Sequence, residues 1–211
     1  MTSAHAPYFE NHSRRDRFPW SLYHRELDRR IARVLAGINV QTPRILVVGC
    51  GLAPFVPGRA DAIVYGSDLD ERAIAECKRL HPDLAPRLAT CPSEYEQPAF
   101  GVAFDAIVAK EVVEHLLDPE RWARSLASLL APRGRLVLTT PNYGFDSTLA
   151  LLERTVLEWI ARRDGYSRAH IHPTKFDRAR LAALDLGEAM KLVRVEVCRT
   201  RWSLVGSWQR A

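Results

Sequence analysis

The chain has 211 residues, 47% apolar and 26% charged, with a formal net charge of +5. That length suits one α/β domain with a sizeable core and leaves little room for a second, and no run approaches the roughly 18 apolar residues of a membrane-spanning helix. The surplus charge is arginine scattered among carboxylates, as in Arg14-Arg15-Asp16-Arg17, Arg29-Arg30 and Arg162-Arg163, a pattern of solvated helix faces that gives no reason to expect nucleic acid as a partner.

In chain order, Met1–Pro7 has no positive patch followed by an apolar core, so no signal peptide is expected. Leu22, Leu27, Ile31, Val34 and Leu35 recur at helical spacing and predict a helix over about 20–38 within an N-terminal cap segment, residues 1–40. The main domain, 41–211, opens with a strand at 44–48 that runs into Gly49-Cys50-Gly51. A second strand at 62–67 carries Asp68 at its tip, seventeen residues beyond Gly51. Pro54 and Pro57 leave any helix between these strands short or distorted. A helix at about 71–80, a short strand near 86–90, a strand at 104–109, a helix at about 119–130 and a strand at 135–140 follow. Such alternation means a parallel sheet covered by helices on both faces. An insertion at about 143–172 holds an extra helix (Leu149, Leu152, Val156, Leu157, Ile160). A short helix at about 177–184 precedes strands at 191–198 and 201–208, close enough to pair as an antiparallel hairpin. Cys50, Cys77, Cys91 and Cys198 form no CxxC pair and read as reduced thiols of a cytoplasmic protein.

A β-branched run ending in Gly-x-Gly is a buried strand entering a tight turn, where glycine lets the backbone approach a ligand. A carboxylate at the tip of the next parallel strand suits the vicinal hydroxyls of a ribose, so the pair points to a nucleoside cofactor. A nicotinamide-dependent oxidoreductase would need Gly-x-Gly-x-x-Gly, and the sixth position here is Pro54. In the segment Glu111-Val112-Val113-Glu114-His115, a helix would put Glu111, Glu114 and His115 on one face. That face is open to three readings: a polar wall beside a substrate hydroxyl, a structural cluster, or a divalent-cation site. His170 and His172 add imidazoles farther on. Histidine accepts a proton near neutral pH, which makes His115 the candidate general base and His172 or His170 the second.

The ordered set Ile45–Gly51, Asp68, Phe104–Val108, Glu111–Leu116, Leu130–Leu136 and Thr140-Pro141-Asn142 resembles the class I S-adenosylmethionine-dependent methyltransferases, in the branch of the ubiquinone-biosynthesis O-methyltransferases. The resemblance covers residues 44–142 closely. It implies a Rossmann-like, doubly wound, mostly parallel seven-stranded sheet with an antiparallel C-terminal hairpin. It also implies S-adenosylmethionine as cofactor. Gly49, Cys50 and Gly51 would lie under its methionine end, Asp68 would hold the ribose, and Leu69 would face the adenine. Pro92 and Ser93, in the Cys91-Pro92-Ser93 loop, would bracket the adenine, and Lys110 and Glu111 would flank the methionine. The implied activity is methyl transfer to a small-molecule acceptor at a hydroxyl oxygen, with no metal, by a monomer or homodimer. Tyr8, Phe9, Phe18, Trp20 and Tyr23 in the cap, with Tyr143, Phe145, Trp159 and Tyr166 in the lid, suit a ring-bearing acceptor. The helical spacing of Tyr23 and Trp159 places those two in the core, and Tyr143 and Phe145 are the pocket candidates.

Three positions depart from the family pattern: Val47 where an acid is usual, Ala53 where a third glycine is usual, and Thr90-Cys91 where Gly-Asp is common. They keep a non-catalytic S-adenosylmethionine-binding protein as one alternative. A second alternative comes from the small-RNA 3′-end 2′-O-methyltransferases. Those enzymes use a similar Glu-x-x-Glu-His with a distant histidine to hold magnesium.

Overall fold

The computed structural model of the protein describes residues 20–152, 155, 159, 162 and 172–211. Tyr8, Phe9, Phe18, Val156, Leu157, Ile160, Tyr166 and His170 lie outside the described residues. Helix α1 (Trp20–Ala36) precedes strands β1 (Arg44–Val48) and β2 (Ile63–Asp68). Helix α2 (Glu71–Leu80), a 3₁₀ segment over Pro82–Arg87, β3 (Leu88–Thr90) and β4 (Phe104–Lys110) follow. Then come α3 (Pro119–Ser128), β5 (Leu130–Pro141), α4 (Leu149–Leu152), α5 (Arg178–Ala182), β6 (Met190–Val197) and β7 (Ser203–Arg210).

One seven-stranded sheet runs in the order β3-β2-β1-β4-β5-β7-β6. The first five strands pair in parallel, and β7 is antiparallel to both β5 and β6. Alternate residues of each central strand enter opposite layers. Ile45 packs with Leu27, Ile31 and Leu35 of α1, and Val47 with Ile74 and Cys77 of α2. Leu46 and Val48 face the other layer, with Trp122 and Leu126 of α3 and Leu181 of α5. Burial on both faces is why these strands read as unbroken apolar runs.

Local chemistry sets the boundaries. Asp70 caps α2 by accepting from the Arg72 amide, and Asp118 caps α3 through the Arg121 amide. The β1–β2 connection contains no helix at all, beyond the shortening that Pro54 and Pro57 predict. Instead Arg59 from that connection donates to the carbonyls of Leu35 (3.2 Å), Ile38 (3.0 Å) and Val40 (2.6 Å). It thereby satisfies carbonyl groups at and beyond the end of α1 and fixes α1 to its own sheet. Strand β5 begins at Leu130 and not at 135, because Leu130 already pairs with Phe104 before the register shifts and pairing resumes at Ala106 with Arg135.

All four cysteines are buried and unbridged. Burial, and secondarily the charge of Asp68, pushes the Cys50 thiol far up. Burial raises Cys77, Cys91 to about 11 and Cys198 to about 12. Because the thiolate is the reactive form, a thiol-specific disulfide reagent near neutral pH should leave all four untouched in the folded protein and react with all four in guanidinium. Fast labelling of any one would contradict this packing. The sign of the linked stability follows. Folded thiols hold their protons more tightly than the ordinary value of 9.0, so their contribution is complete below about pH 9 and is lost as pH rises through 11–12.

Candidate active site

Because the first five strands are parallel, their C-terminal ends meet at one edge of the sheet, where α/β proteins bind ligands. β1 delivers Gly49 and Gly51 there in left-handed conformations, φ 67° and 56°. A Cβ on Gly49 would stand 2.6 Å from the Val112 side chain, so the turn admits only glycine. Asp68, 7% exposed, accepts the Gly51 amide on Oδ2 at 2.8 Å and the Asp70 amide on Oδ1 at 3.0 Å. A carboxylate offers about four acceptor positions. One remains on each oxygen, matching the two hydroxyls of a ribose. Leu69 beside it is 57% exposed, and the Cys91 amide donates to the Asp68 carbonyl at 2.8 Å. That bond brings the loop carrying exposed Pro92 and half-buried Ser93 against the same edge. Glycine cradle, diol acceptor and apolar neighbour together fit a nucleoside cofactor.

The end of β4 holds a surprise. Glu111 adopts φ 58°, a conformation costly for a residue with a side chain, and the following Val113–His115 is a 3₁₀ turn. The shared helical face expected for Glu111, Glu114 and His115 is therefore not formed. The Glu111 amide donates to Thr139 Oγ1 at 3.0 Å, and Thr139 Oγ1 donates back to Glu111 Oε1 at 2.8 Å. The Lys110 ammonium pairs with Asp28 Oδ1 of α1 at 2.6 Å, joining α1 to the site edge.

Glu114 and His115 turn instead toward His172. Ligand-capable atoms of these three residues lie within 4.8 Å of one another, and the imidazole centroids of His115 and His172 are 4.9 Å apart. Glu114 is 1% and His172 6% exposed, while His115 faces solvent. Thr174 zips the two loops together, its amide donating to the Glu114 carbonyl at 3.2 Å and its hydroxyl to the Leu116 carbonyl at 2.5 Å. The hydroxyl of Tyr143, two residues past β5, lies 2.8 Å from His172 Nδ1. Sequence reasoning missed Asp28, Thr139 and Thr174, whose roles arise only from tertiary contacts. Phe145 is fully exposed at this edge, and Trp159, expected in the core, is 61% exposed. Its apolar spacing belongs to an insertion that does not bury it.

Such a fold and such a cradle define an α/β protein that binds a nucleoside cofactor at the carboxyl edge of its sheet. The chain belongs to the methyltransferase domain family, whose model matches residues 16–184. It is similar to the ubiquinone biosynthesis O-methyltransferase of Neisseria meningitidis, 30% identical over 163 residues, 71% of this chain and 67% of that one. It is 40% identical over 106 residues, 47% of this chain, to the mitochondrial enzyme of that name from Homo sapiens. The chain spans 29% of that human relative and 39% of the Arabidopsis thaliana one. Among solved structures, magnesium protoporphyrin IX methyltransferase from Synechocystis PCC 6803 shares the fold. Its TM-score is 0.66 at 20% identity, covering 98% of this chain and 95% of that one. A methyltransferase from Clostridium acetobutylicum gives 0.70 at 10% identity, covering 97% and 98%.

Proposed function

We propose that this protein transfers a methyl group from S-adenosylmethionine to a hydroxyl of a small, partly apolar molecule. The carrying observation is the buried Asp68 carboxylate, fixed by two amides at the tip of β2 beside the Gly49–Gly51 turn. When bound, the cofactor supplies a methyl group already activated by a sulfonium, so the protein's task is mainly orientation, worth ~7–11 kcal/mol when complete. Asp68 holds and orients the ribose, and the glycine turn leaves room for the backbone to lie close against the ligand. His115, exposed at the same edge, accepts the proton of the acceptor hydroxyl. Phe55, Leu69, Leu117 and Phe145, all more than half exposed, follow β1, β2, β4 and β5 at this edge and offer apolar surface to an acceptor. The names of the relatives support an oxygen acceptor and favour neither an RNA end nor non-catalytic binding. The buried unbridged cysteines support a reducing compartment, the cytoplasm. Among the described residues no helix is long and apolar enough to cross a membrane.

A second reading concerns only the base. Two imidazoles and a carboxylate within 4.8 Å are a donor set that suits a borderline divalent cation, which would make a bound hydroxyl more acidic in place of a base at His115. Calorimetric titration with S-adenosylmethionine and S-adenosylhomocysteine, with and without magnesium or zinc, tests both. Micromolar binding independent of metal is the expected outcome. Absence of binding would remove the proposal, and a strict metal requirement would favour the second reading.

A further inference from the structure

We propose that Tyr143 is a positioning residue that fixes the tautomer of His172, making one imidazole of the site a hydrogen-bond donor and leaving the other, His115, as its base. The inference deepens the methyl-transfer reading and takes its chemical meaning from it. Tyr143 is placed firmly: its amide donates to the Phe176 carbonyl at 2.7 Å, and its hydroxyl meets His172 Nδ1 at 2.8 Å. A phenol donates a hydrogen bond better than it accepts one, and a neutral imidazole has one bare nitrogen to receive it. With Tyr143 donating to Nδ1, the ring proton of His172 sits on Nε2, because the bond at one nitrogen sets the state of the other. The Lys175 ammonium, 5.1 Å from the Tyr143 ring centroid, draws electron density from the phenol and strengthens that donation.

The cluster also holds an anion. Glu114 is almost wholly buried, and a carboxylate taken out of water must be met by donors. His172 and His115 are the imidazoles beside it. Tyr143 O–H then donates to His172 Nδ1, and Glu114, with a carboxylate oxygen within 4.8 Å of a ring nitrogen of each histidine, is the anionic neighbour of both rings. His172 in this state has no lone pair to take a proton from substrate. His115 differs in being exposed, with an ordered carboxylate neighbour to stabilise its protonated form. Burial and partners thus separate two histidines that look equivalent in sequence.

The test reads the tautomer directly. Long-range proton–nitrogen correlation spectra of the uniformly nitrogen-15-labelled 211-residue chain, at a pH where the imidazoles are neutral, assign the protonated nitrogen of each ring. The wild type is expected to show His172 solely as the Nε2–H form, and Tyr143→Phe to show both forms at an unchanged melting temperature. A wild-type His172 in the Nδ1–H form overturns the proposal, since a bare Nε2 is what a cation ligand requires. An Nε2–H form unaltered in folded Tyr143→Phe overturns it equally. Should Tyr143→Phe not fold, the wild-type spectrum still decides the tautomer. No cofactor or acceptor enters the measurement, so loss of the methyl-transfer reading would leave the spectral result intact. Once an acceptor is in hand, Tyr143→Phe should lower kcat about tenfold with KM unchanged, as expected of a group acting through its neighbour.

Discussion

Asp68→Ala is expected to weaken binding of S-adenosylmethionine and S-adenosylhomocysteine by about a hundredfold or more, measured calorimetrically. Each hydrogen bond to a charged partner contributes about 1.5–3 kcal/mol, so two ribose hydroxyls lost together correspond to ~3–6 kcal/mol, or roughly two to four decades in Kd. Burial sharpens the effect, because Asp68 is shielded from competing water. The same substitution removes the acceptor of the Gly51 and Asp70 amides, so part of the loss will come from a loosened glycine turn. Asp68→Asn separates the two contributions. Its one carbonyl oxygen can keep one amide bond while the charge is gone, and its affinity should fall between wild type and alanine. An alanine variant that bound with wild-type Kd would mean the ribose sits elsewhere, and the cofactor assignment would lose its anchor.

Much of the scaffold was legible because it is governed by local rules. The runs 44–48, 63–68 and 104–110 are apolar and rich in β-branched residues since both faces of those strands are covered. Helix α2 coincides with the predicted 71–80, beginning after its Asp70 cap. The prolines at 54 and 57 predicted a short or distorted first helix, and the structure goes further, with no helix there. What escaped were features fixed by long-range contacts. Nothing around Glu111 announces a left-handed residue; the conformation is held by Thr139, on the neighbouring strand. The clustering of His172 with Glu114 and His115 needs the chain to return past β5, with Thr174 docked on the Glu114 and Leu116 carbonyls. Helical periodicity misled at Trp159, where spacing suggested a core that the fold does not provide. Local sequence therefore foretold the glycine turn and the strand-tip Asp68, and did not foretell the clustering of Glu114, His115 and His172.

That second half is where the other large effect is expected. His115→Ala should reduce kcat by about 10²–10⁴, the usual range for losing a positioned general base, with the Kd for S-adenosylhomocysteine unchanged. The separation of effects follows from the architecture. The proposed cofactor contacts lie mainly at the ends of β1, β2 and β3, with Lys110 and Glu111 at the end of β4, while His115 is carried by the turn beyond them and packed beside His172. Its exposure means that truncation leaves no cavity in the core, so stability should scarcely move and the kinetic loss can be read as chemistry. Exogenous imidazole should restore part of the rate, because the space vacated opens to solvent. His172→Ala should behave differently. It removes a buried ring that bridges Tyr143 and the Glu114 cluster, so it should cost stability as well as rate and resist rescue by imidazole. If His115→Ala kept full turnover with the true acceptor, no side-chain base would be needed at that position. Proton removal would then fall to solvent or to a cation held by the remaining Glu114 and His172, and a metal titration of the variant would tell those apart.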